Sequence, residues 1–184
     1  MADDPGVEST LGIIVRLTRL TETSLIVHWI TGDHGLLKTV ARGARKPGNA
    51  FYGKLDLFFS GEISLLPAKR GDLHILKEVA IRDWREGLRK NYTTTLLASY
   101  CCQLMESALE PEHPDAEMHD LLRRALDHLE SAGASRKAFL HFEKELARLL
   151  GVIPRQGSAE AALRDSLGTL PSIRADLEER LPLV

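Results

Sequence analysis

Residues 25–42 read LIVHWITGDHGLLKTVAR, and the folding of this stretch decides the architecture of the first half of the chain. Two apolar, β-branched runs, 25–31 and 36–42, flank Gly32-Asp33-His34-Gly35. Both glycines tolerate positive φ, so the link predicts a hairpin. Upstream, LGIIVRLTRL (11–20) is another strand-like run, joined through the short polar turn TETS (21–24). Downstream, LDLFFSGEISLL (55–66) and DLHILKEVAIRDW (72–84) are separated by PAKRG. Gly61, inside the first of these, suggests a bulge or a tight barrel corner. Five antiparallel strands in about 75 residues, with short links except at 43–54, favour closure into a small barrel. Closure removes exposed strand edges.

The second half changes period. Tyr92, Leu96, Leu97, Tyr100, Cys101, Leu104, Met105 and Ala108 recur every three to four residues, which marks one apolar face of a long helix. PDAEMHDLLRRALDHLE follows, with Asp115 placed to cap, and SRKAFLHFEKELARLLG repeats the pattern before Gly151 stops it. Beyond it, two short helices broken at Gly168 and Pro171 are expected. The switch of period near Trp84 divides the chain into an acidic N-terminal tail (1–10), a barrel (11–84) and a helical domain (85–184). The fold class is α+β and multi-domain.

The totals exclude several classes. The chain has 184 residues, of which 43% are apolar and 27% charged, a globular composition. The longest uncharged window, 91–105, is shorter than the about 20 apolar residues that a bilayer span needs. The first ten residues have no apolar core of a secretory signal, so a cytoplasmic location without membrane contact is expected. Two adjacent cysteines, Cys101 and Cys102, cannot form a four-cysteine zinc site, and no metal or other cofactor is expected. No phosphate-cradling loop and no activated nucleophile context occurs, so the expectation is a binding protein and not an enzyme.

The net charge of −2 hides an uneven distribution. Residues 11–85 hold 12 Lys and Arg against 7 Asp and Glu, whereas residues 86–184 hold 12 against 16. The excess of cations centres on KTVARGARKPGNAFYGKL (38–55), which has no acid. Lys38 and Arg42 are four apart on a strand and so share a face. Arg45 and Lys46 follow in a loop that Gly43 and Gly48 free to approach a backbone. Phe51 and Tyr52 offer rings for base stacking, with the alternative that a ring is tucked into the barrel. Lys69 and Arg70 form a second basic turn. Nothing here reads base edges, so the expected binding is electrostatic and sequence-tolerant. Four phosphate contacts would give a single-strand salt slope of roughly −3. In the helical half, Arg123, Arg124, Arg136, Lys137, Lys144, Arg148 and Arg155 are candidates for docking a protein partner, of which Arg123, Arg124, Lys144 and Arg148 are singled out.

The run LTRLTETSLIVHWITGDHGLLKTVARGARK (17–46) resembles the N-terminal domain of the RecO family of bacterial DNA-repair proteins. That domain has an E-T-[SD] turn, an apolar strand, a [DE]-H-G turn and a strand leading into V-A-[RK]-G-A-[RK]. Here these are Glu22-Thr23-Ser24, Asp33-His34-Gly35 and Val40 to Arg45. GDLHILKEVAIRD (71–83) is similar to the family's last barrel strand and LLASYCCQLMESAL (96–109) to its first long helix. The resemblance implies an OB-fold barrel followed by a helical domain. It also implies ATP-independent binding of single- and double-stranded DNA, strand annealing, and help in loading RecA together with RecR. The single-strand-binding protein, through its acidic C-terminal tail, would be a further partner, at the nucleoid. Lys38 and Arg42 match the family's DNA-contacting basic positions. An interaction adaptor that docks RecR or that tail through its helical half is the alternative. Many relatives carry a four-cysteine zinc module after L-G-x-x-P; here LLGVIP (149–154) is followed by no cysteine, which leaves the role of 155–184 open.

Overall fold

The structure is a computed structural model that describes residues 6–152 and 157–181. Its strands are β1 (Glu8–Arg19), β2 (Leu25–Thr31), β3 (Gly35–Ala41), β4 (Ser60–Leu66) and β5 (Leu73–Asp83). They close into a barrel in the order β1-β2-β3-β5-β4. Not every neighbour is antiparallel as expected: β3 and β5 run parallel over Lys38–Val40 and Leu73–Ile75. The reason is parity. A ring of five strands cannot alternate direction all the way round, so at least one adjacent pair must run the same way.

β1 reaches back to Glu8, into the stretch expected to be a tail. Its first half, from Glu8 to Ile13, pairs with β4, and Gly12–Arg19 pairs with β2, so one long strand serves both sides of the closure. A bulge between Ile14 and Arg16 bends it. β4 starts at Ser60, later than the expected 55, because Phe58 turns the chain through the left-handed region at φ 72°. Gly61 sits at a register shift against β5, and a Cβ there would lie 2.3 Å from the carbonyl oxygen of Ala80. The sequence-based bulge is therefore a place where a side chain has no room. Ile14, Val27, Trp29, Leu37, Ile63, Leu65 and Leu76 fill the interior. The indole N–H of Trp29 donates to Thr39 Oγ1 at 2.8 Å, which satisfies the one polar atom of the largest core residue.

The helices are α1 (Tyr92–Ala108), α2 (Ala116–Ala132), α3 (Arg136–Leu149), α4 (Ala159–Leu167) and α5 (Ile173–Arg180). Ser135 caps α3 by accepting from Ala138 N at 3.1 Å, and Ser158 caps α4 by accepting from Ala161 N at 3.2 Å. Leu97, Tyr100, Leu104, Leu122, Leu126, Phe139 and Leu146 are buried, as the apolar stripes require. Within this core lies a polar cluster. Glu143, 1% exposed, accepts from the Tyr100 hydroxyl at 2.6 Å and from Arg174 Nε at 2.8 Å. The Arg174 guanidinium also meets Glu160 and Glu178 and stacks over Phe139. Burial opposes the charge of Arg174, but Glu143, Glu178 and Glu160 together outweigh it and raise its pKa above the usual range. Burial and Glu143 likewise raise that of Tyr100.

The chain forms two compact units. One holds the barrel up to Trp84 together with Leu109–Ala116; the other holds Arg85–Ala108 and the residues from Glu117 onward. The return of 109–116 to the barrel unit was not foreseen. Glu112 N donates to Leu36 O at 3.1 Å, and His74 Nε2 lies 3.0 Å from the Glu112 carboxylate. Gly35 belongs to this contact as well, since a Cβ on it would fall 2.0 Å from the carbonyl oxygen of His113. Its φ of 64° serves the hairpin, and its missing side chain serves the packing.

Candidate nucleic-acid interface

The cationic segment divides into residues that reach solvent and residues spent on the fold. Lys38 lies on the outward face of β3, and its Nζ donates to Asp72 Oδ2 at 2.7 Å. That bond, first among several causes, holds the Asp72 carboxyl below its ordinary value of 3.8. Lys38 is thus not the free cation the sequence suggested, because a carboxylate from the β4–β5 loop already balances it. Arg45 is exposed but engaged: its backbone N–H donates to Thr23 O at 3.0 Å and its guanidinium to Glu22 O at 2.9 Å. Its work is to fasten the loop after β3 to the β1–β2 turn. Gly43 N–H completes that seam by donating to Ser24 Oγ at 3.3 Å.

Arg42 and Lys46 behave differently. Both are exposed, neither forms an ion pair among the described residues, and both line one groove of about 580 Å³. Its other walls are the β1–β2 turn, with Leu20, Thr21 and Ser24, and the start of β5 at Leu73. Lys69 and Arg70 are exposed on the β4–β5 loop outside the groove lining, and the Lys38–Asp72 bond ties that loop to β3. Phe51 is 8% exposed and belongs to the barrel core, so its ring is not available to a base. Tyr52, the next residue, points outward at 56% exposure. Adjacent residues in a turn diverge, and the more apolar ring takes the interior.

The sequence reading missed Leu20, Thr21, Ser24 and Leu73. The signal was present in TETS, a turn rich in hydroxyls beside a basic loop, but only the fold brings residue 21 to residues 42 and 46.

The helical unit has its own groove, about 530 Å³, between α1, α2 and α3. Leu97, Leu121, Leu129 and Phe142 form its apolar lining, and Arg124 and Lys137 supply cations. Of the four residues singled out for partner docking, only Arg124 lines it, and its Nε is shared with Asp120 at 2.7 Å. Arg123 is held by Asp120 and Asp127, Arg148 pairs with Glu145, and Lys144 is exposed elsewhere on α3. Arg155 lies outside the described residues. Burial drives the Cys102 thiol up to about 12 and that of Cys101 well above its ordinary value of 9. Both remain thiols at neutral pH, and neither is an activated nucleophile. No helix among the described residues is long and apolar enough to cross a membrane.

Comparison with known proteins agrees with this architecture in both halves. The family model described as recombination protein O N terminal matches residues 7–85, and that described as recombination protein O C terminal matches residues 89–159. A DNA repair protein RecO from Rhodopirellula baltica is 28% identical over 85% of this chain and 58% of its own length. One from Syntrophus aciditrophicus is 30% identical over 79% and 56% respectively. One from Syntrophotalea carbinolica is 32% identical over 72% and 52%. The chain therefore spans a little over half the length of these curated relatives.

Proposed function

The chain belongs to the RecO family, and on that premise we propose that it is a recombination mediator of DNA repair that binds DNA through its barrel groove without ATP and without reading sequence. The observation that carries this reading is the convergence of Arg42 and Lys46 on one groove with no carboxylate paired to either among the described residues. Two polyanionic strands meet only when something screens both. A cationic groove that contacts sugar–phosphate leaves base edges free to pair, which is the physical basis for annealing single strands and for holding duplex. Assistance to RecA loading together with RecR is the cellular role this chemistry would serve. The chemistry requires no catalytic group.

The test is a titration of a fluorescent single strand at several salt concentrations. Each phosphate contact contributes about −0.7 to the slope of log K against log salt. Arg42 and Lys46 alone would give about −1.4, and Lys69 and Arg70 together would take it towards −2.8. Arg42→Glu with Lys46→Glu should abolish measurable binding at physiological salt. Binding that ignores salt, or that survives the double charge reversal, would falsify the proposal.

A second reading rests on the helical groove, whose apolar lining and cations suit an acidic peptide ending in apolar residues, such as the C-terminal tail of the single-strand-binding protein. In this reading the protein is chiefly an adaptor. Calorimetry with a tail peptide discriminates: heat of binding that disappears in Arg124→Glu with Lys137→Glu supports the adaptor role, and no heat with the unaltered protein removes it.

A further inference from the structure

We infer that the barrel groove is a seat for an unpaired nucleotide, in which the β1–β2 turn and Arg42 and Lys46 grip a phosphate while Leu20 and Leu73 receive the face of its base. This rests on the nucleic-acid reading of the groove and deepens it, adding to the phosphate grip shared by single strands and duplex a contact that only an unpaired base can make. Two features of the lining carry it.

The first is the state of the turn hydroxyls. Thr21 Oγ1 already accepts from Thr23 N at 3.3 Å and from Ser24 N at 3.1 Å, so both its lone pairs are engaged. Ser24 Oγ accepts from Gly43 N. A hydroxyl in that state has its proton left to give, and no acceptor for either proton occurs among the described residues. Arg42 and Lys46 are donors by nature. The polar groups these four residues turn to the groove therefore ask for a ligand rich in acceptors and negative in charge, which is the chemistry of a phosphate diester. His74, which also lines the groove, does not compete, because one ring nitrogen accepts from Ala68 N and the other faces Glu112.

The second is apolar. Leu20 is 46% and Leu73 37% exposed, and although they lie far apart in sequence, in the β1–β2 turn and at the start of β5, both line this groove. A phosphate has no use for either. A base has a broad apolar face, and in single-stranded DNA that face is free, whereas in a duplex it is covered by its stacked neighbours. The groove's size of about 580 Å³ lies within the range of sites that enclose small ligands. Contact with base faces, not edges, keeps the seat indifferent to sequence.

The experiment compares two labelled strands of equal length and charge, oligo-dT and a chain of abasic spacer phosphates, by fluorescence anisotropy on the full chain. The unaltered protein should prefer oligo-dT by about three- to tenfold at every salt concentration. In Leu20→Thr with Leu73→Thr the preference should vanish, while affinity for the abasic strand and for a duplex hairpin, and the salt slope, stay as they were. Both leucines are exposed, and unchanged thermal unfolding of this variant would confirm that its fold is intact. Equal affinity of the unaltered protein for the two strands, with the salt slope present, overturns the base seat and leaves the phosphate-binding groove standing. Absence of salt-dependent binding to either strand overturns both.

Discussion

Lys38 and Asp72 form the contact that most changes how the basic segment works. Removing the acid in Asp72→Asn releases the lysine and deletes a negative charge beside the groove. Single-strand affinity should then rise about two- to fivefold at low salt, with the gain fading as salt screens it. No gain in the anisotropy titration would mean that Lys38 stays beyond the reach of DNA. The pair's contribution to stability has a defined sign. The folded-state value of Asp72 lies below 3.8, so the stabilisation is in place above that pH and is lost as pH falls through the lowered value. Urea midpoints of Asp72→Asn and the unaltered protein should therefore differ by a constant amount between pH 5 and 8 and converge in acid. Gly35 is the other decisive residue. An alanine there meets the His113 carbonyl and a strained φ at once, so Gly35→Ala should cost about 2 kcal/mol or more by urea unfolding. The sequence displayed Gly35 as a turn glycine. Its second duty was illegible because its neighbour in space is 78 positions away.

Among the elements, the strands and helices were legible because each carries its own period, two or 3.6, in its own residues. What periodicity could not supply was pairing. Counting strands around a ring requires a parallel contact without saying that it is β3–β5, and the return of 109–116 to the barrel unit involves a segment, EPEHPD, with no period to read. The attachment of α5 was equally hidden, because nothing in IRADLEER advertises that Arg174 is buried against Glu143. Truncating one member of such a pair leaves the other charge stranded. Arg174→Met should therefore destabilise the helical unit by about 3–5 kcal/mol, which a urea titration followed by circular dichroism would register. If the loss is below about 1 kcal/mol, the cluster contributes little to the stability of the helical unit.

For the molecule as a whole, electrostatics is local. With a net charge of −2 and a screening length of about 8 Å at physiological salt, the chain does not attract DNA by its total charge. The composition showed where cations crowd, but not which are spent. Lys38 is balanced by an acid 34 positions away, and the guanidinium of Arg45, though still charged, is tethered to the Glu22 carbonyl of a distant turn. Arg123 and Arg148 are likewise balanced by acids on their own helices. Their joint replacement by alanine should leave the salt slope of DNA binding unchanged, and a shallower slope in that variant would extend the binding surface to the helices. The buried Glu143–Arg174 cluster has a consequence of another kind. Arg174 on α5 is clasped by Glu143 of α3, Glu160 of α4 and Glu178 of its own helix, so one guanidinium fastens the last described helix to two others. A guanidinium repels metal cations, so EDTA should find nothing in this clasp to extract, and the urea midpoint of the helical unit should be the same with and without the chelator.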